Sequence, residues 1–162
     1  MRDAAPADFA AILALNEESV RFTSPLDATQ LAALHGQAVL HRVAIVGDEI
    51  AAFLLALREG AQYESENYRW FAARYPRFLY VDRVVVSAAH RGERLGVELY
   101  EALFDFARVT NVRTITCEYD VDPPNPISQR FHARFGFREV GTQRAAGGKK
   151  RVSLQRLELP IP

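Results

Sequence analysis

Residues 78–119 read FLYVDRVVVSAAHRGERLGVELYEALFDFARVTNVRTITCEY and contain a strand, a helix and a second strand. The β-branched run Phe78–Val86 predicts the first strand, and Val112–Tyr119 predicts the second. Apolar residues at steps of about four predict a helix between the two strands, which begins at Glu93 or Arg94 and ends at Val109. These apolar residues are Leu95, Leu99, Leu103 and Phe106. A helix that joins two strands in this order predicts a right-handed parallel crossover.

The turn between the first strand and the helix has the features of an anion site. Residues 87–96 read SAAHRGERLG, so the strand feeds a tight turn directly before a helix start. Backbone N–H groups at a helix start and the helix dipole both favour phosphate. Gly92 permits close backbone approach, Gly96 lets a bulky ligand lie near the first turn, and Arg91 and Arg94 add positive charge. An ordinary solvated helix start is the alternative interpretation.

The remaining elements predict a mixed α+β sheet with helices on both faces. Two helices come first, a hairpin follows them, and two more strands come after the crossover. In chain order these elements are Asp8–Glu18, a helix after Pro25 with Asp27 as its N-cap and Gly36 as its end, Val39–Val46, Glu49–Leu57, Phe137–Gln143 and Arg151–Leu159. The length of 162 residues predicts a single domain over residues 1–162.

Residues 59–77 show poor periodicity and carry several aromatic side chains. A segment of this length inside a compact domain is usually functional or partly helical. The aromatic residues are Tyr63, Tyr68, Trp70, Phe71 and Tyr75. Two interpretations remain open, because these rings can form a substrate wall or can cover the edge of the core.

Residues 125–137, NPISQRFHARFGF, predict a helix with two stripes that ends near Gly136. The apolar residues Ile127, Phe131 and Phe135 are four apart and are expected to anchor the helix in the core. The neighbouring polar stripe consists of Asn125, Ser128 and His132. A polar stripe beside a buried face indicates a ligand groove, and a solvent-facing flank is the alternative.

Composition excludes several classes of function. Basic and acidic residues both number 20, so no overall positive field favours nucleic acid or an anionic membrane. One cysteine, Cys117, excludes an internal disulfide and a Cys-rich zinc site, and the histidines lack a ligand spacing, which predicts no metal. The chain lacks both an apolar signal region at its start and a run of roughly 20 apolar residues, so we expect a cytoplasmic protein.

The Arg91–Gly96 turn and the Asn125–Phe137 segment together resemble the two signature motifs of the GNAT acetyltransferase superfamily. The first resembles the acyl-CoA pyrophosphate pattern R/Q-x-x-G-x-G/A, and the second resembles N-x-x-S-x-x-F-[YH]-x-x-x-G-F. The run Asp122–Pro126 is also typical of an uncharacterised branch of predicted acetyltransferases. The resemblance implies the GNAT acyl-CoA N-acyltransferase fold, whose mostly antiparallel sheet contains one splayed parallel strand pair.

The resemblance also implies a reaction, which is direct transfer of the acetyl group of acetyl-CoA to a primary amine of a small molecule, amino acid or peptide. A homodimer is plausible on the same ground. The residues that it implies for acetyl-CoA binding are Val84, Val85, Val86, Arg91, Gly92, Glu93, Arg94, Leu95, Gly96, Val97, Asn125, Ser128 and His132. A non-catalytic acyl-CoA-binding or sensor module of the same fold is the alternative function.

Three positions depart from the family pattern. Arg94 stands where the pattern has its first glycine, so its backbone is expected to avoid a strained conformation. His132 stands where many relatives have a tyrosine that acts as general acid, and its role is either acid catalysis or packing along the CoA groove. Tyr80 stands where histone-type relatives place the base carboxylate.

The acceptor amine must be neutral to attack, so a base or a water chain is needed. Period-two alternation places Asp82 on the same strand face as Tyr80, and we expect Asp82 to be the first candidate. Its alternative role is a structural pair with Arg83 or another arginine. Glu118 on the neighbouring strand is the second candidate. Cys117 is not expected to be a nucleophile, because direct transfer needs no acyl-enzyme.

Overall fold

The computed structural model describes residues 1–160. Its helices are α1 (Phe9–Glu18), α2 (Ala28–Gln37), α3 (Glu66–Ala72), α4 (Leu95–Val109) and α5 (Pro126–Arg134). Its strands are β1 (Arg2–Asp3), β2 (Leu40–Val46), β3 (Glu49–Arg58), β4 (Leu79–Val86), β5 (Thr114–Asp122), β6 (Arg138–Ala145) and β7 (Lys150–Glu158).

The strands are joined in the order β1-β2-β3-β4-β5-β7-β6. The sheet is mostly antiparallel, and its parallel pair is β4 with β5. Both features confirm the predicted mixed α+β class. The chain divides into two compact units, one of residues 1–57 and 81–109 and the other of residues 58–80 and 110 onward. The boundary between the two units lies within β4, after Tyr80.

The first unit has a core of aliphatic and aromatic side chains. Leu99 and Leu103 of α4 are fully buried, as the four-residue spacing predicts. The predicted N-cap of α2 is confirmed, because the Asp27 carboxylate accepts from the Gln30 N–H at 2.8 Å while the Gln30 side chain accepts from the Asp27 N–H at 3.0 Å. Gly36 does not end this helix, since a further residue, Gln37, continues the last turn.

The second unit contains the parallel ladder and two longer antiparallel ladders. The parallel ladder is short and joins Leu79 to Ile115 and Tyr80 to Thr116. Antiparallel pairing continues along β5 and β7 and then along β6 and β7. Strand β5 extends to Asp122, beyond the predicted end at Tyr119, because β7 supplies backbone partners for the added residues.

The aromatic segment 59–77 contributes mainly to the core of this unit. Tyr68 and Phe71 on α3 are buried. The Tyr68 hydroxyl donates to the Arg58 carbonyl at 2.7 Å and accepts from the Ala61 N–H at 2.8 Å, so it also holds the chain that leads into α3. These contacts favour core covering over a substrate wall for Tyr68.

Helix α5 is rotated relative to the prediction. Ile127 was expected to be an anchor but is 57% exposed, and Phe131 and Phe135 are only half-buried. His132 is instead the buried residue of this helix. The chain after the helix explains the rotation, because Gly136 adopts a φ of +87° and Phe137, which follows it, packs on the His132 ring with centroids 5.4 Å apart. The expected apolar anchoring of α5 is therefore wrong.

Candidate active site

The turn before α4 is built to present backbone amides. The Ser87 N–H bonds to the Ala51 carbonyl at 2.8 Å, and the Ser87 hydroxyl accepts from the Ala89 N–H, which starts a short 3-10 turn. Gly92 then adopts a φ of +90° with open space around it. The internal bonds of α4 begin with the Glu98 N–H to the Arg94 carbonyl at 3.0 Å. The amides of the first helical turn therefore have no acceptor within the helix. These amides belong to Leu95, Gly96 and Val97.

Charged groups around this turn favour an anion. Arg91 and Arg94 are exposed beside the helix start. The Glu93 carboxylate lies 3.0 Å from His90 Nδ1, and the Glu93 N–H already bonds to the His90 carbonyl at 3.4 Å. The Glu93 amide is thus used within the turn, whereas the helix start and the two guanidinium groups remain the positive features.

Arg94 has the backbone conformation that a glycine would adopt. Its φ is +65°, in the left-handed region, so the expectation that this position avoids strain is wrong. An L-residue with a side chain needs about 1–2 kcal/mol to adopt this conformation. The turn therefore keeps the shape that the family pattern assigns to glycine, and it carries an additional guanidinium at that point.

Replacing Arg94 with glycine is expected to stabilise the protein by about 1 kcal/mol, because the steric cost of the left-handed conformation is removed. Arg91→Gly is the matched control, since Arg91 has a φ of −66° and an extended backbone. At Arg91, glycine relieves no steric strain. It is expected to lower the free energy of unfolding by about 0.4–1 kcal/mol, because it increases the conformational entropy of the unfolded chain. Urea denaturation of both variants gives the two free energies of unfolding. Equal destabilisation by both substitutions would contradict a left-handed Arg94.

Strand β4 alternates between buried and half-buried residues only in its second half, from Val81 to Val86. Val84 and Val86 are half-buried, whereas Val85 is buried. The less buried face is the one predicted to meet a ligand, and Val85 belongs to the core.

Asp82 lies on the same alternation, but its side chain is withdrawn from solvent. Its carboxylate accepts from Arg83 Nε at 2.7 Å, and the two side chains are 3% and 4% exposed. Arg83 also donates to Asn16 Oδ1 at 2.8 Å and to the Ser24 hydroxyl at 3.2 Å. This network favours the structural-pair alternative for Asp82, because a buried carboxylate held by a guanidinium is poorly placed to take a proton from an incoming amine.

Glu118 has a different environment, in the second unit. Its Oε1 atom accepts from the Tyr80 hydroxyl at 2.9 Å and from Asn67 Nδ2 at 2.9 Å. Tyr80 is buried and packs against the rings of Tyr63, Tyr68 and Phe71, with centroids 6.5, 5.5 and 5.9 Å away. The structure thus brings together two of the predicted catalytic residues, Tyr80 and Glu118, beside a cluster of aromatic side chains.

Asn67 was missed by sequence reasoning. It is buried on α3, and its Oδ1 atom accepts from Gln143 Nε2 at 2.6 Å. The segment that contains Asn67 has no periodic pattern, and the distance along the chain to Glu118 is 51 residues. No local signal marks such a residue, since its contact is created only when α3 packs beside β5.

His132 is a buried packing residue of the second unit. Its Nδ1 atom lies 2.8 Å from the Ser128 carbonyl, which assigns the hydrogen to Nδ1, and the ring stacks on Tyr119 with centroids 5.9 Å apart. Burial lowers the pKa of His132 to about 4, and the bond to the Ser128 carbonyl opposes this effect only partly. The ring is therefore neutral near pH 7, which favours packing over acid catalysis.

Asn125 caps α5, because its Oδ1 atom accepts from the Ser128 N–H at 3.1 Å. The polar stripe of α5 is the less exposed side of the helix, since Asn125 and Ser128 are half-buried next to His132. The stripe is thus not the solvent-facing flank that was its alternative interpretation.

Within residues 1–160, no three His, Cys, Asp or Glu side chains lie together in a way that could hold a metal ion. No helix in the same part of the chain has the length and apolar character needed to cross a membrane.

The chain has clear relatives. Residues 8–137 match the model of the Acetyltransferase (GNAT) family. A phosphinothricin N-acetyltransferase from Streptomyces coelicolor is 39% identical over 66 residues, which is 41% of this chain and only 37% of that relative. Two solved structures have a TM-score of 0.73 and show the fold. One is the ribosomal-protein-S18-alanine N-acetyltransferase from Escherichia coli, which is 16% identical, with 99% of this chain and 93% of that chain covered. The other is yncA from Salmonella typhimurium with its cofactor acetyl-CoA, which is 20% identical, with 99% and 94% covered.

The family match covers most of the chain, and it includes both the turn before α4 and the segment from Asn125 to Phe137. The mostly antiparallel sheet with one parallel pair agrees with it. The chain therefore belongs to the GNAT acetyltransferase family.

Proposed function

We propose that this protein is an N-acetyltransferase that moves the acetyl group of acetyl-CoA directly to a primary amine. The observation that carries the proposal is the Glu118 carboxylate, which is oriented by Tyr80 and Asn67 beside a cluster of aromatic side chains. The two donors hold the Glu118 carboxylate in one orientation, and a positioned carboxylate is a group that can act as a general base. Family membership supports acetyl transfer, and this site supports the amine as its acceptor.

The first unit supplies the residues for the nucleotide end of acetyl-CoA. The donor set fits a pyrophosphate, since the amides at the start of α4 have no acceptor within the helix and Arg91 and Arg94 are exposed beside them. Gly92 leaves room for close approach, because nothing lies within 4 Å of a Cβ built there. Backbone groups of Val84 and Val86 would bind the pantetheine arm and orient the thioester carbonyl. When bound, acetyl-CoA supplies an activated acyl group.

Glu118 and its neighbours Tyr80, Asn67 and Tyr63 are the residues proposed for the amine. An ammonium group has no lone pair, so it must lose a proton before it can attack. Glu118 accepts that proton, while the Tyr80 hydroxyl and the Asn67 amide hold the carboxylate in one orientation. The side chain of Tyr63, near Tyr80, contributes an apolar wall for the carbon skeleton of the acceptor.

The names of two relatives indicate which acceptors to try first. The phosphinothricin N-acetyltransferase indicates a small amino compound, and the ribosomal-protein-S18-alanine N-acetyltransferase indicates the N-terminus of a protein. The direct test is a screen of amino acids, small amines and short peptides with acetyl-CoA, in which the release of free CoA thiol is measured. Thiol release with at least one amine class supports the proposal.

A non-catalytic acyl-CoA-binding module is the second candidate, and one observation favours it. His132 stands at the position of the acid tyrosine, and burial keeps its ring neutral by lowering its pKa. Tight acetyl-CoA binding with no thiol release from any amine in the screen would establish this alternative.

Replacing Gly92 with valine is expected to weaken acetyl-CoA binding about 100-fold. A side chain at a φ of +90° is strained, and the loss of one or two hydrogen bonds to a charged phosphate costs about 1.5–3 kcal/mol each. Gly148→Val is the matched control, because Gly148 has a φ of +84° and equally open space but lies in the β6–β7 turn. Calorimetric titration with acetyl-CoA compares the two. Equal affinities for both variants would remove the turn before α4 from the binding site.

A further inference from the structure

A chain of side-chain amides leads from β6 to the carboxylate on β5. Gln143 Nε2 donates to Asn67 Oδ1 at 2.6 Å, and Asn67 Nδ2 donates to Glu118 Oε1 at 2.9 Å. We infer that Asn67 and Gln143 are positioning residues, which fix the orientation of the Glu118 carboxylate for proton transfer. This inference rests on the proposed role of Glu118 as the base.

The Glu118 carboxylate and Gln143 together hold the Asn67 amide in one orientation. An asparagine side chain has one acceptor oxygen and one donor nitrogen, and its two orientations have nearly the same shape. The Glu118 carboxylate only accepts, so it takes the Asn67 nitrogen, and the Asn67 oxygen that is left accepts from Gln143 Nε2, which supports this orientation. In the reverse orientation, an amide oxygen would face a carboxylate oxygen, and neither of them carries a hydrogen.

Burial makes this amide difficult to replace by solvent. Asn67 is 9% exposed, so water has little access to take over its bond to Glu118. Helix α3 also packs directly on the backbone of β6, because a Cβ added to Gly141 would lie 2.6 Å from the Trp70 ring. This close packing sets the separation between Asn67 and Gln143, so the glycine on β6 is required for the short amide contact.

The test uses the nearly isosteric substitution Gln143→Glu, which replaces the donor by an acceptor. The Asn67 oxygen then loses its donor and the Asn67 nitrogen faces two competing carboxylates, so its hold on Glu118 is expected to weaken. We expect kcat to fall about tenfold, the equivalent of one weakened buried hydrogen bond, while the KM for acetyl-CoA and the thermal midpoint stay unchanged. Gln30→Glu is the control, because glutamate retains the capping box of α2.

A double-mutant cycle separates positioning from general structural damage. If Gln143 acts through Asn67, then Gln143→Glu has no further effect on kcat in an Asn67→Ala background. If the two substitutions instead caused independent structural damage, their effects on kcat would multiply. Multiplying effects, or a Gln143→Glu variant with the kcat of the unchanged protein, would overturn the inference.

Glu118→Gln, measured in the same assay, separates the role of Glu118 as the base from the positioning role of Asn67 and Gln143. If Glu118→Gln is inactive and Gln143→Glu is fully active, the amide chain does not position the base, and the proposed function stands. If Glu118→Gln is fully active, the proposed base is wrong, and the inference falls with it.

The side-chain amide signals of Asn67 in a nitrogen–proton correlation spectrum give a readout without turnover. They are expected to shift in Gln143→Glu and to stay in place in Gln30→Glu. An unshifted spectrum in Gln143→Glu would contradict the contact between Gln143 and Asn67.

Discussion

Replacing Glu118 with glutamine is expected to lower kcat by about 10²–10⁴-fold, which is the usual contribution of a positioned general base. The amide has nearly the shape of the carboxylate but cannot take a proton from the amine. Its carbonyl can still accept from Tyr80 and Asn67, so the local packing is retained. Acetyl-CoA affinity, measured by calorimetry, is expected to stay the same, because Glu118 is not among the residues proposed to bind acetyl-CoA.

Glu139→Gln is the matched control for this experiment. Glu139 also accepts a hydrogen bond from a hydroxyl group, that of Ser153 at 2.5 Å, but it is on β6 and takes no part in the proposed chemistry. Its substitution should leave kcat within about twofold, in line with small effects away from special sites. The contrary result is full activity of Glu118→Gln together with inactivity of Asp82→Asn, which would transfer the base to Asp82.

Replacing Arg83 with methionine is expected to cost about 3–5 kcal/mol of unfolding free energy, as is usual when one partner of a buried ion pair is removed. Asp82 would keep a buried carboxylate without the guanidinium that now lies 2.7 Å away. The Asn16 and Ser24 groups that accept from Arg83 would also lose a charged donor. For a chain of this length, the melting temperature should fall by roughly 10 °C, which calorimetric or circular-dichroism melting measures.

The double variant Asp82→Asn with Arg83→Met is the control for this prediction. It removes the isolated charge as well as its partner, so most of the lost stability should return. If Arg83→Met is as stable as the unchanged protein, the hydrogen bonds of Arg83 contribute little to the free energy of unfolding. An inactive but fully stable Asp82→Asn variant would instead support the catalytic role that the sequence suggested for Asp82.

Local patterns identified the turn before α4, to which the proposal assigns the donor. The turn at Arg91–Gly96 was identified from a glycine, two arginines and a helix start, all within a few residues. The conformation of Arg94 was not predicted correctly, because a residue with a side chain ordinarily avoids a positive φ. The surrounding strand and helix impose the turn, and the residue adopts it at a steric cost.

The two candidate base residues were ranked from strand alternation alone. Asp82 was preferred to Glu118 because period-two alternation places it on the same strand face as Tyr80. Alternation does not indicate which side chain each carboxylate contacts in the folded protein. The pairing with Arg83 withdrew Asp82 into the core of the first unit. The bonds from Tyr80 and Asn67 oriented Glu118.

The element order, the parallel crossover and the amide-rich turn before α4 could all be predicted from the amino-acid sequence. These features follow from capping, backbone preference and periodicity, which act over a few neighbouring residues. The rotation of α5 and the partners of Glu118 depend instead on tertiary packing. Gln143 lies 76 residues from Asn67, and Asn67 lies 51 residues from Glu118, so their hydrogen bonds exist only because α3, β5 and β6 pack together. Periodicity in the sequence indicates which residues share a face of a helix or strand. Tertiary packing determines which side chains that face contacts.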